Sequence, residues 1–347
     1  MTVSADEEVH GLRLRLLARV EERLAGVLDT ERARWSAVDP RGASPAASVA
    51  HLVEAGGKRL RPAFCLSGFL AAGGDPDSGL AVDCAAALEL IHVGALIHDD
   101  VLDAADERRG RPAVHTKHAA EHAARGWRGE SRRYGEGVAV LAGDLADILA
   151  DRLTAGLPPQ ARAVWNELLT EIVIGQHLDV AVAAESVVDP GLSRWIAVCK
   201  SGRYSIHRPL LLGASLTGRT DLAPVFERYG EALGEAFQLR DDLIDAYGDG
   251  GAAGKPVGLD LERNKMTLLL ATAVRRDAGV RALVSAEEWD VPALRRRLTE
   301  IAIGEEIEAR IDGLHQEALD ALDRPGVPPA WRDELAAMAR EVAYRDR

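Results

Sequence analysis

The sequence predicts an all-α protein, and two observations carry that expectation. Ala, Leu, Arg and Glu dominate the 347 residues, while the Val-Ile-Thr-aromatic runs that strands favour are scarce. Apolar residues also recur at helical spacing, beginning with Leu12, Leu14, Leu17, Val20, Leu24 and Val27, which make residues 10–28 an amphipathic opening helix. An all-helical chain of this length can share one continuous core, so residues 1–347 read as a single all-α domain.

Next come Gly56-Gly57, which break a helix, and Lys58, Arg59 and Arg61, which crowd the start of another with Pro62 in its first turn. Cations beside a Gly-Gly turn and a helix N-terminus suit an anion. Residues 80–103 form a long apolar helix on which Leu88, His92, Ala95, Asp99 and Asp103 share one stripe. One end of that stripe is charged and the other apolar. The run DERRGRP follows, placing Arg108 and Arg109 just past the carboxylates, and residues 119–137, polar and rich in glycine, read as a surface loop.

Residues 138–153 resume a helix that Leu157-Pro158-Pro159 ends. In the segment 167–184, Gln176 and Asp179 share a face and are either mutual caps or cavity liners. Asp189-Pro190 is a turn, and the apolar region 192–218 is interrupted at Lys200-Ser201-Gly202. The helix over 226–246 places Gln238, Asp241 and Asp245 on one face with Asp242 beside them. A glycine-rich loop containing Lys255, Asp260, Arg263 and Lys265 then resembles those that close over substrates. Amphipathic helices divided at Val291-Pro292 and Arg324-Pro325-Gly326 complete the chain, which ends in the charged tail AYRDR.

A net charge of −13 and a pI near 5.3 argue against a nucleic-acid binder, which needs a broad basic face. Cys65, Cys84 and Cys199 are too dispersed for a disulfide framework or a cysteine metal site, and read as core thiols in a reducing cytoplasm. The acidic start MTVSADEEVH has no apolar leader region, and no segment reaches the roughly 18 uninterrupted apolar residues of a transmembrane span. The expectation is a cytoplasmic protein.

Two aspartate clusters, Asp99/Asp100/Asp103 and Asp241/Asp242/Asp245, carry the chemistry. One DDxxD pattern on a helix is commonly a solvated face. Two copies in apolar helices, each followed by basic residues, point to cations holding the carboxylates together. Mg²⁺ suits them, since it takes oxygen ligands and binds through one or two carboxylates plus substrate phosphates. No Cys/His spacing suggests zinc. With the apolar stripe above Asp99, the clusters specify a hydrocarbon diphosphate.

Between residues 52 and 270 the chain resembles the trans-isoprenyl diphosphate synthases of the polyprenyl synthetase family. The matching motifs are GGKRLRP (56–62), His92, DDVLDAADERRGRP (99–112), GQHLD (175–179), KSG (200–202), FQLRDDLID (237–245) and GKPVGLDLERNK (254–265). The resemblance implies helices around a central cavity, a homodimer, and head-to-tail condensation of an allylic diphosphate with isopentenyl diphosphate. By motif, Lys58, Arg61, His92 and Arg109 bind isopentenyl diphosphate. Asp99, Asp103 and Asp241, supported by Asp100, Asp242 and Asp245, hold three Mg²⁺. Arg108, Lys200, Ser201, Gln238, Lys255 and Lys265 contact the allylic diphosphate, and Gln176 and Asp179 line the site. Two departures stand out: Ser201 where the family has Thr, and Asn264 where it has Gly.

In this family the residues four and five before the first aspartate gate the growing tail, and here they are the small Ala95 and Gly94. Ala95 lies roughly 6 Å, one helical turn, above Asp99. Ile91 and Leu88 further along form a floor, which predicts a C20 product, geranylgeranyl diphosphate, over farnesyl or longer diphosphates. The rival classes are a class I terpene cyclase, a non-catalytic partner subunit, and a phosphohydrolase built on His98-Asp99.

Overall fold

The structure is a computed structural model of the chain, and it describes residues 5–185, 189–248, 258–286 and 288–345. It is all-α, as the composition predicts. The helices are α1 (Ala5–Ser36), α2 (Ser44–Glu54), α3 (Leu60–Ala71) and α4 (Gly79–Leu102), followed after a small hairpin by α5 (Val114–Ala124), α6 (Ser131–Leu153), α7 (Pro159–Glu185) and α8 (Pro190–Ala197). A π-helical segment, Val198–His207, leads into α9 (Arg208–Ser215), α10 (Ala223–Tyr247) and α11 (Leu259–Glu262). Then come α12 (Leu268–Arg276), α13 (Ala278–Val284), α14 (Val291–Glu300), α15 (Ile303–Leu322) and α16 (Pro329–Ala343). Among the described residues the strands are β1 (Glu107–Arg108) and β2 (Arg111–Pro112), paired antiparallel.

Local chemistry sets the boundaries. Ser78, Asp189, Thr267, Asp277 and Asp290 each accept a first-turn backbone N–H through the side chain, starting α4, α8, α12, α13 and α14.

The chain forms two compact units. The α4 unit comprises Gly11–Leu66 and Asp75–Pro158; in it α4 lies against α2 and α6, and α5 against α6. Its fully buried core includes Leu24, Leu28, Phe64, Leu66, Leu88, Leu90, Ile97 and Leu149. Each such side chain contributes about 1.5–3 kcal/mol by leaving water. The α10 unit comprises Met1–His10, Ser67–Gly74 and Pro159–Arg347, with α10 packed on α15, α16 and the π segment around Trp165, Leu168, Phe226 and Tyr229.

Helix α4 is long and apolar enough to cross a membrane, but 72% of that window is buried inside the protein, which makes it a core helix. The surface loop expected over 119–137 is corrected: α5 runs to Ala124 and α6 starts at Ser131. These helices lack an apolar period because they pack through small residues. Gly135, Ala139 and Ala142 are buried, and a Cβ on Gly135 would collide with the His115 carbonyl. Near the junction His122 meets Trp127 edge-on and Tyr134 at a tilt and bonds to the Ser131 hydroxyl. The polar Lys200-Ser201-Gly202 within the apolar region 192–218 lies in the π-helical segment, so the chain stays helical through it. Gly202 faces Gly234 so closely that a Cβ on Gly202 would stand 2.8 Å from the Gly234 Cα.

Candidate functional site

The first aspartate cluster lies where α4 ends. Asp99 occupies its last turn, and Asp103 caps it, donating its N–H to the Asp99 carbonyl at 2.8 Å. The C-terminal end of a helix already carries partial negative charge, so carboxylates there attract cations strongly. Asp100 differs from its neighbours. It is 1% exposed, and its Oδ1 accepts the Arg108 Nε–H at 2.8 Å and a second Arg108 N–H. Burial pushes the Asp100 carboxyl up, while the Arg108 guanidinium pulls the other way. Arg108 also stands 3.7 Å from Asp99.

Arg108 is placed by the hairpin, whose two-residue turn is Arg109-Gly110 with φ of 55° and 69°. Positive φ at both positions matches the twist of a tight hairpin, at a cost of about 1–2 kcal/mol for the non-glycine Arg109. The turn aims Arg109 back at the Gly-Gly segment, where its guanidinium donates to the carbonyls of Leu52, at 3.0 Å, and Gly56. Arg59, also at positive φ (47°), bonds to Glu21 and, at 2.6 Å, to the buried Glu89. His92 sits among these groups. Burial first, then Arg61, Arg109, Arg108 and Arg59, drive its ring far towards the neutral form. Four guanidiniums thus raise the local positive potential at one imidazole in a protein of net charge −13. Lys58 is exposed on the turn before α3.

Above the aspartates, Leu88 and Ile91 are buried and Ala95 is half-buried. Gly94 marks a close approach of α4 to α6: a Cβ there would come within 3.0 Å of Asp147 Oδ1 and 3.2 Å of the Gly143 carbonyl.

The second cluster lies near the end of α10. Asp242 is its buried member, with Oδ1 accepting the Gln238 amide at 2.8 Å and Oδ2 accepting the Leu269 N–H at 3.1 Å. Burial pushes its carboxyl up to about 7, and Asp260 and Asp241 add to the shift. Gln238, expected on the face of Asp241 and Asp245, is thus bonded one helical turn on to Asp242. Asp241 is exposed and Asp245 half-buried, Asp245 Oδ2 accepting the Asp260 N–H at 3.2 Å.

Within the α10 unit, Asp179, Lys200, Ser201, Gln238, Asp242 and Lys265 line one cavity of about 120 Å³. Lys200 and Ser201 reach it from the π segment, a helix form often found at functional sites. Lys200 Nζ donates to Asp179 at 2.7 Å, and the Ser201 hydroxyl donates to Gln238 Oε1. Gln176 is half-buried on α7, outside that lining. Lys255 lies outside the described residues. Asn264 holds φ at 54°, a conformation that glycine and asparagine tolerate best, so its exchange for Gly keeps the local backbone.

Two residues of this region carry roles that the motifs do not reveal. Asp260 lines the cavity, and Arg345, from the charged tail, pairs with Asp241 at 2.5 Å. Nothing in local sequence signals the second pairing.

Among the described residues, no group of three or more His, Cys, Asp or Glu side chains is placed to hold an ion unaided. The accessible carboxylates are instead one pair per cluster, Asp99 with Asp103 and Asp241 with Asp245. All are oxygen donors, and they fit a hard ion that completes its shell with water and phosphate.

The polyprenyl synthetase family model matches residues 45–291. The short chain isoprenyl diphosphate synthase of Methanothermobacter thermautotrophicus is 34% identical over 254 residues, 71% of this chain and 72% of the relative. The nonaprenyl diphosphate synthase of Mycobacterium tuberculosis is 31% identical over 309 residues, 86% of each. Among solved structures, the geranylgeranyl pyrophosphate synthase of Corynebacterium glutamicum, complexed with isoprenyl diphosphate and magnesium, matches with a TM-score of 0.87 and 34% identity, covering 95% of this chain and 99% of that one.

Proposed function

The chain belongs to the polyprenyl synthetase family and is a prenyltransferase, and from that premise we propose that it condenses isopentenyl diphosphate with an allylic diphosphate to give geranylgeranyl diphosphate. The observation that carries the reading is the pair of aspartate clusters, each with one buried member tied into the scaffold and two accessible ones. Asp99, Asp103 and Asp241, with Asp245, would hold Mg²⁺, and Asp100 and Asp242 would fix the orientation of their helices. Bound there, Mg²⁺ supplies Lewis-acid stabilisation of the charge that gathers on the departing pyrophosphate.

Lys200, Lys265, Ser201 and Gln238 contact the allylic diphosphate in this proposal, with Arg108 and Lys255, while Gln176 and Asp179 line the site. Lys58, Arg61, Arg109 and neutral His92 hold isopentenyl diphosphate, whose charge the four surrounding guanidiniums match. As the allylic C–O bond breaks, these fixed cations and donors stabilise charge that develops only in the transition state, which raises turnover. The isopentenyl double bond forms the new C–C bond, and the released pyrophosphate takes the proton.

Chain length is assigned by α4. Ala95 leaves the tail room and Leu88 and Ile91 form its floor, while Gly94, expected as part of the gate, instead lets α4 close on α6. A short-chain and a nonaprenyl synthase both stand among the relatives, so C20 rests on Ala95, Leu88 and Ile91. The full chain acts as one domain in a cytoplasmic homodimer. Exposed apolar side chains support the dimer: Val140, Leu141 and Ile148 on α6, and Val173, Ile174 and Val180 on α7.

The test is incubation with Mg²⁺, isopentenyl diphosphate and dimethylallyl, geranyl or farnesyl diphosphate in turn, followed by dephosphorylation and chromatography. C20 alcohol from wild type and shorter alcohols from Ala95→Phe are expected. An unchanged product length in that variant rejects the α4 ruler. Cyclic hydrocarbon formed without isopentenyl diphosphate, or phosphate release alone, rejects the condensation.

A further inference from the structure

Arg345, two residues beyond α16, holds the accessible carboxylate of the second cluster. Its guanidinium lies 2.5 Å from Asp241 Oδ1, its carbon stands 3.7 Å from the centroid of the Phe237 ring, and Nη2 donates to the Phe237 carbonyl at 3.2 Å. Phe237 and Asp241 are one turn apart on α10, so an ion pair, a cation–π contact and a backbone hydrogen bond clamp the arginine along that turn. The side chain is 9% exposed, unusual for an arginine.

The residues before it hold it in place. Tyr344 donates its hydroxyl to Asp312 at 2.8 Å and packs edge-on against His315, and Arg240 of α10 donates to the Ala343 carbonyl at 2.8 Å. The contact therefore belongs to a docked segment.

We propose that Arg345 is a positioning residue, the resident cation on Asp241 that a divalent metal displaces when the second cluster loads. The inference rests on Asp241 being a metal ligand. A guanidinium on Asp241 Oδ1 takes one of the lone pairs a metal would use and sets a positive charge a few ångströms from the incoming ion, so the two cations repel and compete for the carboxylate. Until loading, the arginine balances the charge of Asp241 beside Asp242 and Asp245 and fixes its carboxylate on α10. Loading then becomes an exchange in which metal replaces guanidinium, and the empty cluster has low affinity for free metal.

Mn²⁺ binding in the presence of inorganic pyrophosphate, followed by the electron paramagnetic resonance of free Mn²⁺, tests this on the full chain. Arg345→Ala removes the competitor and tightens Mn²⁺ by about two- to fivefold, the scale of a partly exposed ion pair. Arg345→Lys keeps a cation at the site and stays nearer to wild type, and circular dichroism of both variants reports that the fold is intact. Affinity that is unchanged or weaker in Arg345→Ala overturns the exchange. Asp241→Asn separates the two ideas. If wild type binds Mn²⁺ and Asp241→Asn does not, but Arg345→Ala is silent, only the exchange falls. If wild type fails to bind, or Asp241→Asn binds as wild type does, the metal reading falls and the exchange with it.

Discussion

The two aspartate clusters carry the same residues at the same spacing, yet the protein treats their buried members differently. Asp100 is neutralised by a charge, the Arg108 guanidinium, whereas Asp242 is held by two neutral donors, the Gln238 amide and the Leu269 N–H. The two neutral donors offset desolvation only in part, and burial pushes the Asp242 carboxyl up to about 7. The accessible members differ too: Asp99 stands near the same Arg108, while Asp241 is occupied by an arginine from far along the chain. A shared motif therefore fixes which oxygens are available for a metal, and each local scaffold fixes what that availability costs.

The largest expected effect tests what the clusters share. Asp99→Ala and Asp241→Ala each lower kcat by about 100-fold or more in a radiolabelled condensation assay, with helical circular dichroism retained, since each removes a fixed contributor to charge stabilisation. Near-normal turnover in one of the two would break the equivalence.

The next effects separate the clusters. Arg108→Ala strands the buried Asp100 charge and destabilises by about 2–3 kcal/mol, below the usual range for a fully buried pair because Arg108 is partly solvated. Gln238→Ala removes a neutral donor and costs about 1 kcal/mol. Urea unfolding of both variants checks the ordering, and equal losses would erase the contrast.

A pH experiment sharpens it further. An unfolded Asp titrates near 4, so between pH 4 and about 7 the folded chain holds the Asp242 proton more tightly than the unfolded chain. The cost of this group therefore grows as pH rises through that window and levels off above it. In metal-free buffer with chelator, the Tm of Asp242→Asn minus that of wild type should rise from pH 5 to pH 8. A difference independent of pH would mean that Asp242 is not held protonated by burial.

The smallest effect concerns Ser201. Ser201→Thr keeps the hydroxyl that Gln238 accepts and leaves KM for the allylic diphosphate nearly unchanged, while Ser201→Ala raises it a few-fold, about 0.5–1.5 kcal/mol for one hydrogen bond. Equal KM values for the two variants would dismiss the contact.

Much of this was legible in the sequence because it depends on short-range patterns. The stripe of Leu88, His92, Ala95, Asp99 and Asp103 follows from helical periodicity, and the Arg-rich turn around Arg109 announces itself by composition. Three features were not legible, each for a physical reason. The α5–α6 junction packs through Gly135, Ala139 and Ala142, which leave no apolar period to read. The π register at Lys200 depends on the close meeting of Gly202 and Gly234, residues 32 apart in sequence. The Arg345 pairing joins a tail that reads as solvated charge to a helix some hundred residues earlier. Which aspartate of each cluster is buried also needed the fold, since Gln238 reaches forward to Asp242 while sharing a predicted face with Asp241 and Asp245.

The central claim is that the accessible aspartates bind metal and the buried ones hold the frame. Equilibrium dialysis of Mn²⁺ with inorganic pyrophosphate, run on Asp99→Asn, Asp241→Asn, Asp100→Asn and Asp242→Asn, tests it most directly. Fewer bound ions per chain are expected in the first two variants and wild-type stoichiometry in the last two. Loss of bound metal in the buried pair equal to that in the accessible pair would contradict it.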